Sequence, residues 1–93
     1  MLQIGQEVRI KRGRTDKNNR RLQYYQGYIF ATTPRLIVIM FTEDGKDLYR
    51  EAFNRADIAD SLTQIEVKEQ DAWRGMTSKD FKGLKSQATS QYI

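Results

Sequence analysis

The sequence predicts a mostly β domain of five strands, with a short helical turn before the last strand and a helical tail at the C-terminus. Several short stretches alternate apolar and polar residues, or are rich in β-branched and aromatic residues, as strands are. Turn-forming residues separate these stretches. In the stretch after residue 68 the spacings of three and four between Phe81, Leu84 and Ala88, with Tyr92 as a further candidate, indicate a helix instead.

The first predicted strand, residues 7–12, places two apolar side chains on one face and Arg9 and Lys11 on the other. Residues 13–21 follow without any apolar side chain and contain Gly, Asp and Asn, which form turns. These nine residues exceed the usual length of a hairpin connection. We therefore expect a long, solvated loop of the kind that often carries function.

The second strand, residues 22–31, is interrupted by Gly27, and a glycine inside a strand usually marks a bulge, a bend or a close backbone approach. Residues 36–41 are apolar on both faces and largely β-branched, so they predict a central strand covered on both sides. An Asp-Gly pair at 44–45 is the strongest hairpin signal in the chain and leads into a fourth strand, residues 48–53.

Residues 54–60 begin with an asparagine that resembles a helix N-cap, so we expect one short helical turn there. Residues 63–68 alternate cleanly and form the fifth strand. We accordingly divide the chain into a β domain, residues 1–68, and a C-terminal extension, residues 69–93.

The extension is predicted to be partly helical, and two arrangements are open for its aromatic residues Trp73 and Phe81. They pack back on the β domain, or they present an amphipathic segment to a partner. Packing back is favoured because an exposed Trp and Phe would be unusual on a monomer. The last residues are expected to fray.

Composition excludes several classes of function. The 93 residues make one small domain, and they include no cysteine and no histidine. This excludes disulfides, thiolate or histidine metal sites, and Ser-His-Asp or Cys-His catalysis. No convergent carboxylate pair and no Gly-rich phosphate-binding motif is present. We expect a non-enzymatic protein without a catalytic, metal or cofactor site.

The longest apolar run has six residues and the N-terminus lacks the features of a signal peptide, so we expect a cytoplasmic protein that does not enter a membrane. Charge is distributed unevenly. Residues 9–21 hold seven Lys or Arg and one Asp, a net charge of +6, whereas the whole chain carries +4. Such a segment neutralises phosphates and binds nucleic acid in a salt-dependent manner.

The sequence therefore predicts contacts to DNA or RNA phosphates by this segment, with base stacking on the tyrosines that follow it. The predicted nucleic-acid-binding residues are Arg9, Lys11, Arg12, Arg14, Lys17, Arg20, Arg21, Tyr24 and Tyr25. Two alternatives are open for the segment: a loop kept polar for solubility, or contact with an acidic protein surface.

In strand order, the chain resembles the SH3-like small β-barrel in its Tudor or KOW-type variants. The matching stretches are residues 4–10, 26–29, 37–41 with Asp44 and Gly45, and 52–58, and the resemblance covers residues 4–68. The chain also resembles short uncharacterised proteins of phages and mobile elements of low-GC bacteria. Members of the barrel class bind RNA, DNA, peptides or other proteins, so the resemblance implies binding but does not name a ligand.

The aromatic cage of some Tudor domains is not predicted, because no spacing places Tyr24, Tyr25, Tyr28 and Tyr49 around one point. We expect a nucleic-acid-binding module with weak sequence readout. The alternative is a protein-interaction module, such as a phage or mobile-element protein that docks on a host protein and modulates it.

Overall fold

The computed structural model describes residues 2–13, 22–60, 63–81 and 87–88. Over these residues the chain forms one antiparallel sheet, so the mostly β class predicted from the sequence is confirmed. Its strands are β1 (Glu7–Gly13), β2 (Leu22–Thr32), β3 (Leu36–Glu43), β4 (Lys46–Asn54), β5 (Ile65–Glu69), β6 (Ala72–Gly75) and the two-residue β7 (Gln87–Ala88). A short helix, α1 (Arg55–Ala59), precedes β5, and a 3₁₀ helix (Ser78–Phe81) follows β6.

The strands lie side by side in the order β4-β3-β2-β1-β5-β6, and β7 pairs with the end of β2. Within the described residues β4 and β6 are the two edges and do not pair with each other. The sheet is therefore open, and this corrects the five-stranded small barrel that the resemblance implied. The physical reason is the β5–β6 hairpin, because β6 takes up the outer edge of β5 that closure of the sheet would need.

β2 passes from one neighbouring strand to the other around Gly27. It pairs with β1 up to Tyr28 and with β3 from Gly27 onward. A Cβ atom at Gly27 would lie 2.1 Å from the carbonyl oxygen of Met40, so only glycine allows the two backbones to approach this closely. The close approach predicted at Gly27 is confirmed, and the register irregularity lies further along, between Ile29 and Ala31.

β3 is covered on both faces, as its continuous apolar sequence predicted. One face contributes Ile37, Ile39 and Phe41 to the main core, and the other packs Val38 into a smaller cluster with Phe30. The buried residues of the main core are Leu2, Val8, Ile10, Ile29, Ile37, Ile39, Phe41, Phe53, Ile58, Ile65, Val67 and Met76.

Two hairpin turns of two residues each have positive φ at both positions. Asp44 and Gly45, with φ of 52° and 77°, join β3 to β4 as the Asp-Gly signal predicted. Gln70 and Asp71, with φ of 49° and 64°, join β5 to β6. Gln-Asp is not a strong hairpin signal, which explains why the sequence did not predict β6.

The short helical turn predicted at residues 54–60 is confirmed as α1. The side chain of Asn54 accepts a hydrogen bond from the Ala56 amide at 2.9 Å, which satisfies one of the free amides at the helix start. Ile58 is the buried residue of this helix and joins the main core, so α1 closes one end of that core.

An ion-pair cluster fixes the 3₁₀ helix to the β5–β6 hairpin. Both terminal nitrogens of Arg74 donate to the carboxylate of Asp80, at 2.7 and 3.0 Å, and Arg74 also binds Glu69. The Thr77 amide donates to Asp80 at 2.7 Å. Burial by itself would raise the pKa of Asp80, but the hydrogen bonds from Arg74 and Thr77 outweigh it and lower this pKa below its ordinary value.

The C-terminal helix predicted in the extension is not confirmed. The described part of the extension contains β6, the 3₁₀ helix and β7, while residues 82–86 and 89–93 lie outside the described residues. Met76 is buried in the main core and Phe81 packs against it, so these two side chains fold back on the sheet. No helix in the described residues has the length and apolar character needed to cross a membrane.

Candidate nucleic-acid interface

The β1–β2 hairpin positions the segment that the sequence singled out. Gly13 and Leu22 are register partners, so the last residue of β1 and the first residue of β2 lie side by side at one point, the end of the hairpin. Lys11 and Tyr24 are also register partners, two positions away from that point, and both are exposed. The end of the hairpin thus places Lys11, a cation of the basic segment (residues 9–21), opposite the ring-bearing residue Tyr24.

Four of the predicted phosphate-binding residues cannot be placed, because residues 14–21, with Arg14, Lys17, Arg20 and Arg21, lie outside the described residues. The backbone of Arg12 belongs to β1, but its side chain is likewise outside the described part. Their contacts with phosphate stay a prediction.

Cations and rings alternate across the outer face of β2, β1, β5 and β6. The guanidinium of Arg9 lies between two rings, 4.3 Å from the centroid of Tyr24 and 4.4 Å from that of Trp73. Lys11 lies 5.7 Å from the Tyr24 centroid and Lys68 lies 6.0 Å from the Trp73 centroid. We call these five residues the cation–ring row, and each of these distances is within cation–π range.

Arg9 is held inside this row by its own counter-ion. Its Nε and one terminal nitrogen donate to the two carboxylate oxygens of Glu66, each at 3.2 Å. The side chains of Arg9 and Glu66 are only 22% and 30% exposed, so water screens this pair incompletely. Arg9 therefore fixes the spacing of Tyr24 and Trp73, and Lys11 is the more accessible of the two predicted cations that the structure describes.

The two predicted stacking residues, Tyr24 and Tyr25, point to opposite faces of β2, as neighbours in a strand do. Tyr24 is 42% exposed on the outer face. Tyr25 is half-buried and packs against the main core, so its ring is less available to a base.

Trp73 and Lys68 belong to the row but were not among the predicted site residues. They are register partners across the β5–β6 hairpin, on the same face as Arg9 and Glu66. Trp73 was assigned to the partly helical extension because apolar residues that follow it have helix-like spacing. The informative signal was the alternation of apolar and polar residues in β5. A two-residue turn at Gln70 and Asp71 makes Trp73 the register partner of Lys68 and places both on one face of the sheet.

Comparisons of the chain with protein-family models, with curated proteins and with solved structures gave no significant match. The function proposed for the chain is therefore argued from its own residues.

Proposed function

We propose that the chain is a small, non-enzymatic nucleic-acid-binding module that contacts phosphates through its basic segment and reads sequence weakly. The observation that carries this proposal is that the basic segment, residues 9–21, shares Arg9 and Lys11 with the cation–ring row. Tyr24 is the register partner of Lys11, and Lys68 and Trp73 extend the row across the sheet. A single strand of nucleic acid bound to the basic segment would extend onto this row.

The chemistry of the row favours stacking over readout of base edges. Aromatic rings stack on any base, with a contribution of about 1–3 kcal/mol per base. Tyr24 offers an exposed ring, and Trp73 is half-buried with its indole held against Arg9. The Arg9–Glu66 pair holds Arg9 between the two rings before nucleic acid binds, so binding requires little further ordering of these side chains.

The proposed fold relationship is an open form of the SH3-like small barrel. The order β4-β3-β2-β1-β5, the close approach of β2 to β3 at Gly27 and a short helix between β4 and β5 support it. The β5–β6 hairpin is an addition to that arrangement.

An electrophoretic shift at low salt tests the nucleic-acid proposal. Single- and double-stranded DNA and RNA should each be retarded by the wild-type protein. Replacing Arg14, Arg20 and Arg21 with Ala should remove the shift, because the basic segment loses half of its net charge.

The matched control removes three cations from other parts of the surface, Arg35, Lys46 and Lys79, which are exposed and lie outside the segment and the row. The control should still bind. Absence of any shift with all four nucleic acids, or an equal loss in both triple variants, would contradict the proposal.

The second candidate function is a protein-interaction module, including one that acts on a host protein in a phage or mobile-element context. Two exposed apolar side chains on the edge strand β4, Leu48 and Tyr49, favour it. A partner that co-purifies with the tagged protein and survives nuclease treatment would support this candidate, and a partner lost after nuclease would instead be bound through nucleic acid.

A further inference from the structure

The exposed apolar side chains of the sheet converge on one pocket. Among the described residues the exposed large hydrophobic side chains are Tyr24, Leu48 and Tyr49, at 42%, 55% and 45%. All three line the same cavity of about 360 Å³, which lies between the start of β2 and the tip of the β3–β4 hairpin. Scattered exposed apolar residues need no explanation, but their convergence on a single cavity of ligand size indicates a binding site.

A bulge in β4 brings two of these side chains together. Phe41 pairs with Tyr49 and Thr42 pairs with Asp47, so Leu48 is an extra residue without a register partner. A bulge redirects side chains that would otherwise alternate between faces, and here both Leu48 and Tyr49 line the cavity. The Tyr49 ring also packs against Phe41, with centroids 5.1 Å apart, which supports one wall of the pocket.

The rim of this pocket is acidic. Glu43 ends β3 and Asp44 begins the turn, both are exposed, and both line the cavity. Lys46 is the register partner of Glu43 but is not among the residues that line it. Aromatic walls and two carboxylates favour a cation and oppose the approach of a phosphate.

We propose that this pocket receives an arginine side chain of a basic partner protein. The flat guanidinium stacks on a ring and forms hydrogen bonds with carboxylates at the same time, which an ammonium group does less well. The same protein already uses this combination, since Arg9 stacks on Tyr24 and Trp73 while it binds Glu66. The proposal goes beyond nucleic-acid binding and does not depend on it.

The test is a titration of the ¹⁵N-labelled protein with butylguanidinium chloride at constant ionic strength, followed by two-dimensional NMR. The amide signals of Glu43, Asp44 and Tyr49 should shift and saturate in the millimolar range, as expected of a single side chain acting alone. Butylurea, a neutral analogue of similar shape, should leave these signals unchanged. Equal shifts with butylurea would overturn the proposal, because the pocket would then bind apolar groups without regard to charge.

Two matched double variants separate the rim from general surface charge. Glu43→Gln with Asp44→Asn should weaken binding about tenfold or more, since it removes both rim carboxylates. Glu7→Gln with Asp71→Asn removes the same two charges elsewhere and, like the first pair, includes a turn aspartate with positive φ. This control should bind as the wild type does, and equal losses in both doubles would overturn the proposal.

The aromatic wall is tested separately by two variants. Tyr49→Leu should abolish saturable binding of butylguanidinium, and Tyr49→Phe should retain it.

A single-stranded oligonucleotide added in place of butylguanidinium should leave the signals of Glu43 and Asp44 unshifted. Shifts there would mean that the pocket takes a nucleobase. Binding of butylguanidinium only after Arg20 and Arg21 are replaced would mean that the chain fills its own pocket, and either result would overturn the proposal.

Discussion

At the scale of single residues, Gly27 is the described glycine with the least room for a side chain. The carbonyl oxygen of Met40 belongs to backbone and cannot swing away from a new Cβ atom. Gly27→Ala should therefore lower the free energy of unfolding by about 1–3 kcal/mol, measured by chemical denaturation.

Gly75→Ala is the matched control for this change. Nothing lies within 4 Å of a Cβ at Gly75, which is also in a strand, so alanine should be neutral or stabilise the protein by about 0.5 kcal/mol. Equal effects of the two substitutions would contradict the close approach of β2 and β3.

Asp80 should make the stability of the protein depend on pH at low pH. Asp80 is 9% exposed, and its carboxylate binds Arg74 and the Thr77 amide, so Asp80→Asn should cost about 1–3 kcal/mol at pH 7. Because folding lowers the pKa of Asp80, the stabilisation is fully present above the unfolded pKa of about 3.9 and is lost as pH falls through the lower pKa of the folded state.

The difference between wild type and Asp80→Asn should therefore shrink when chemical denaturation is repeated from pH 7 down to pH 2. Asp71→Asn serves as the control, because Asp71 is exposed in a turn. A difference that stays constant over this range would show that the charge of Asp80 does not hold the 3₁₀ helix.

Trp73 is the residue whose proposed role differs most from its predicted one. If bases stack on the cation–ring row, Trp73→Leu should weaken binding to single-stranded nucleic acid by about 1–3 kcal/mol, measured by fluorescence anisotropy. Tyr49→Leu removes a ring from the proposed arginine pocket and should leave this affinity unchanged. Equal effects would mean that the loss at Trp73 is not specific to the cation–ring row.

At the scale of elements, the β5–β6 turn can be improved in a way that the β3–β4 turn cannot. Gln70 and Asp71 both adopt positive φ, which costs free energy for glutamine in particular and is met better by asparagine followed by glycine. Replacing them with Asn-Gly should raise the free energy of unfolding by about 0.5–1 kcal/mol.

Asp44→Asn makes the same Asn-Gly sequence in the β3–β4 turn, where glycine is already present, and it should change stability little. Destabilisation by the Asn-Gly replacement at residues 70–71 would contradict the hairpin and with it the place of Trp73 in the row.

These elements also show why part of the fold was predictable. Local chemistry was sufficient for the Asp-Gly turn, the capped helix α1 and the two-sided burial of β3. The turn before β6 was not predictable in this way, because tertiary pairing holds Gln70 and Asp71 at positive φ against their own preference.

The candidate site was predictable only where it is continuous in sequence. The basic segment and Tyr24 follow from charge and order along the chain. The cation–ring row was not predictable, because it depends on the register of four strands, and two of its members, Lys68 and Trp73, come from β5 and β6. The proposed arginine pocket depends likewise on the β4 bulge at Leu48, which no local sequence pattern predicts.

At the scale of the whole molecule, charge is separated between two surfaces that share Tyr24. The basic segment and the cation–ring row carry cations, and the tip of the β3–β4 hairpin carries Glu43 and Asp44. A polyanion is attracted to the first surface and repelled by the second, so the orientation of bound nucleic acid should be set by this separation.

The most direct test of nucleic-acid binding by the basic segment is the salt dependence of affinity for single-stranded nucleic acid. The logarithm of the association constant should fall linearly with the logarithm of salt concentration, because bound cations release counter-ions. Replacing Arg12, Arg14, Arg20 and Arg21 with Ala should reduce the steepness of this line by about 2–3, near 0.7 for each lost phosphate contact. A slope that is the same in the wild type and this variant would contradict the account.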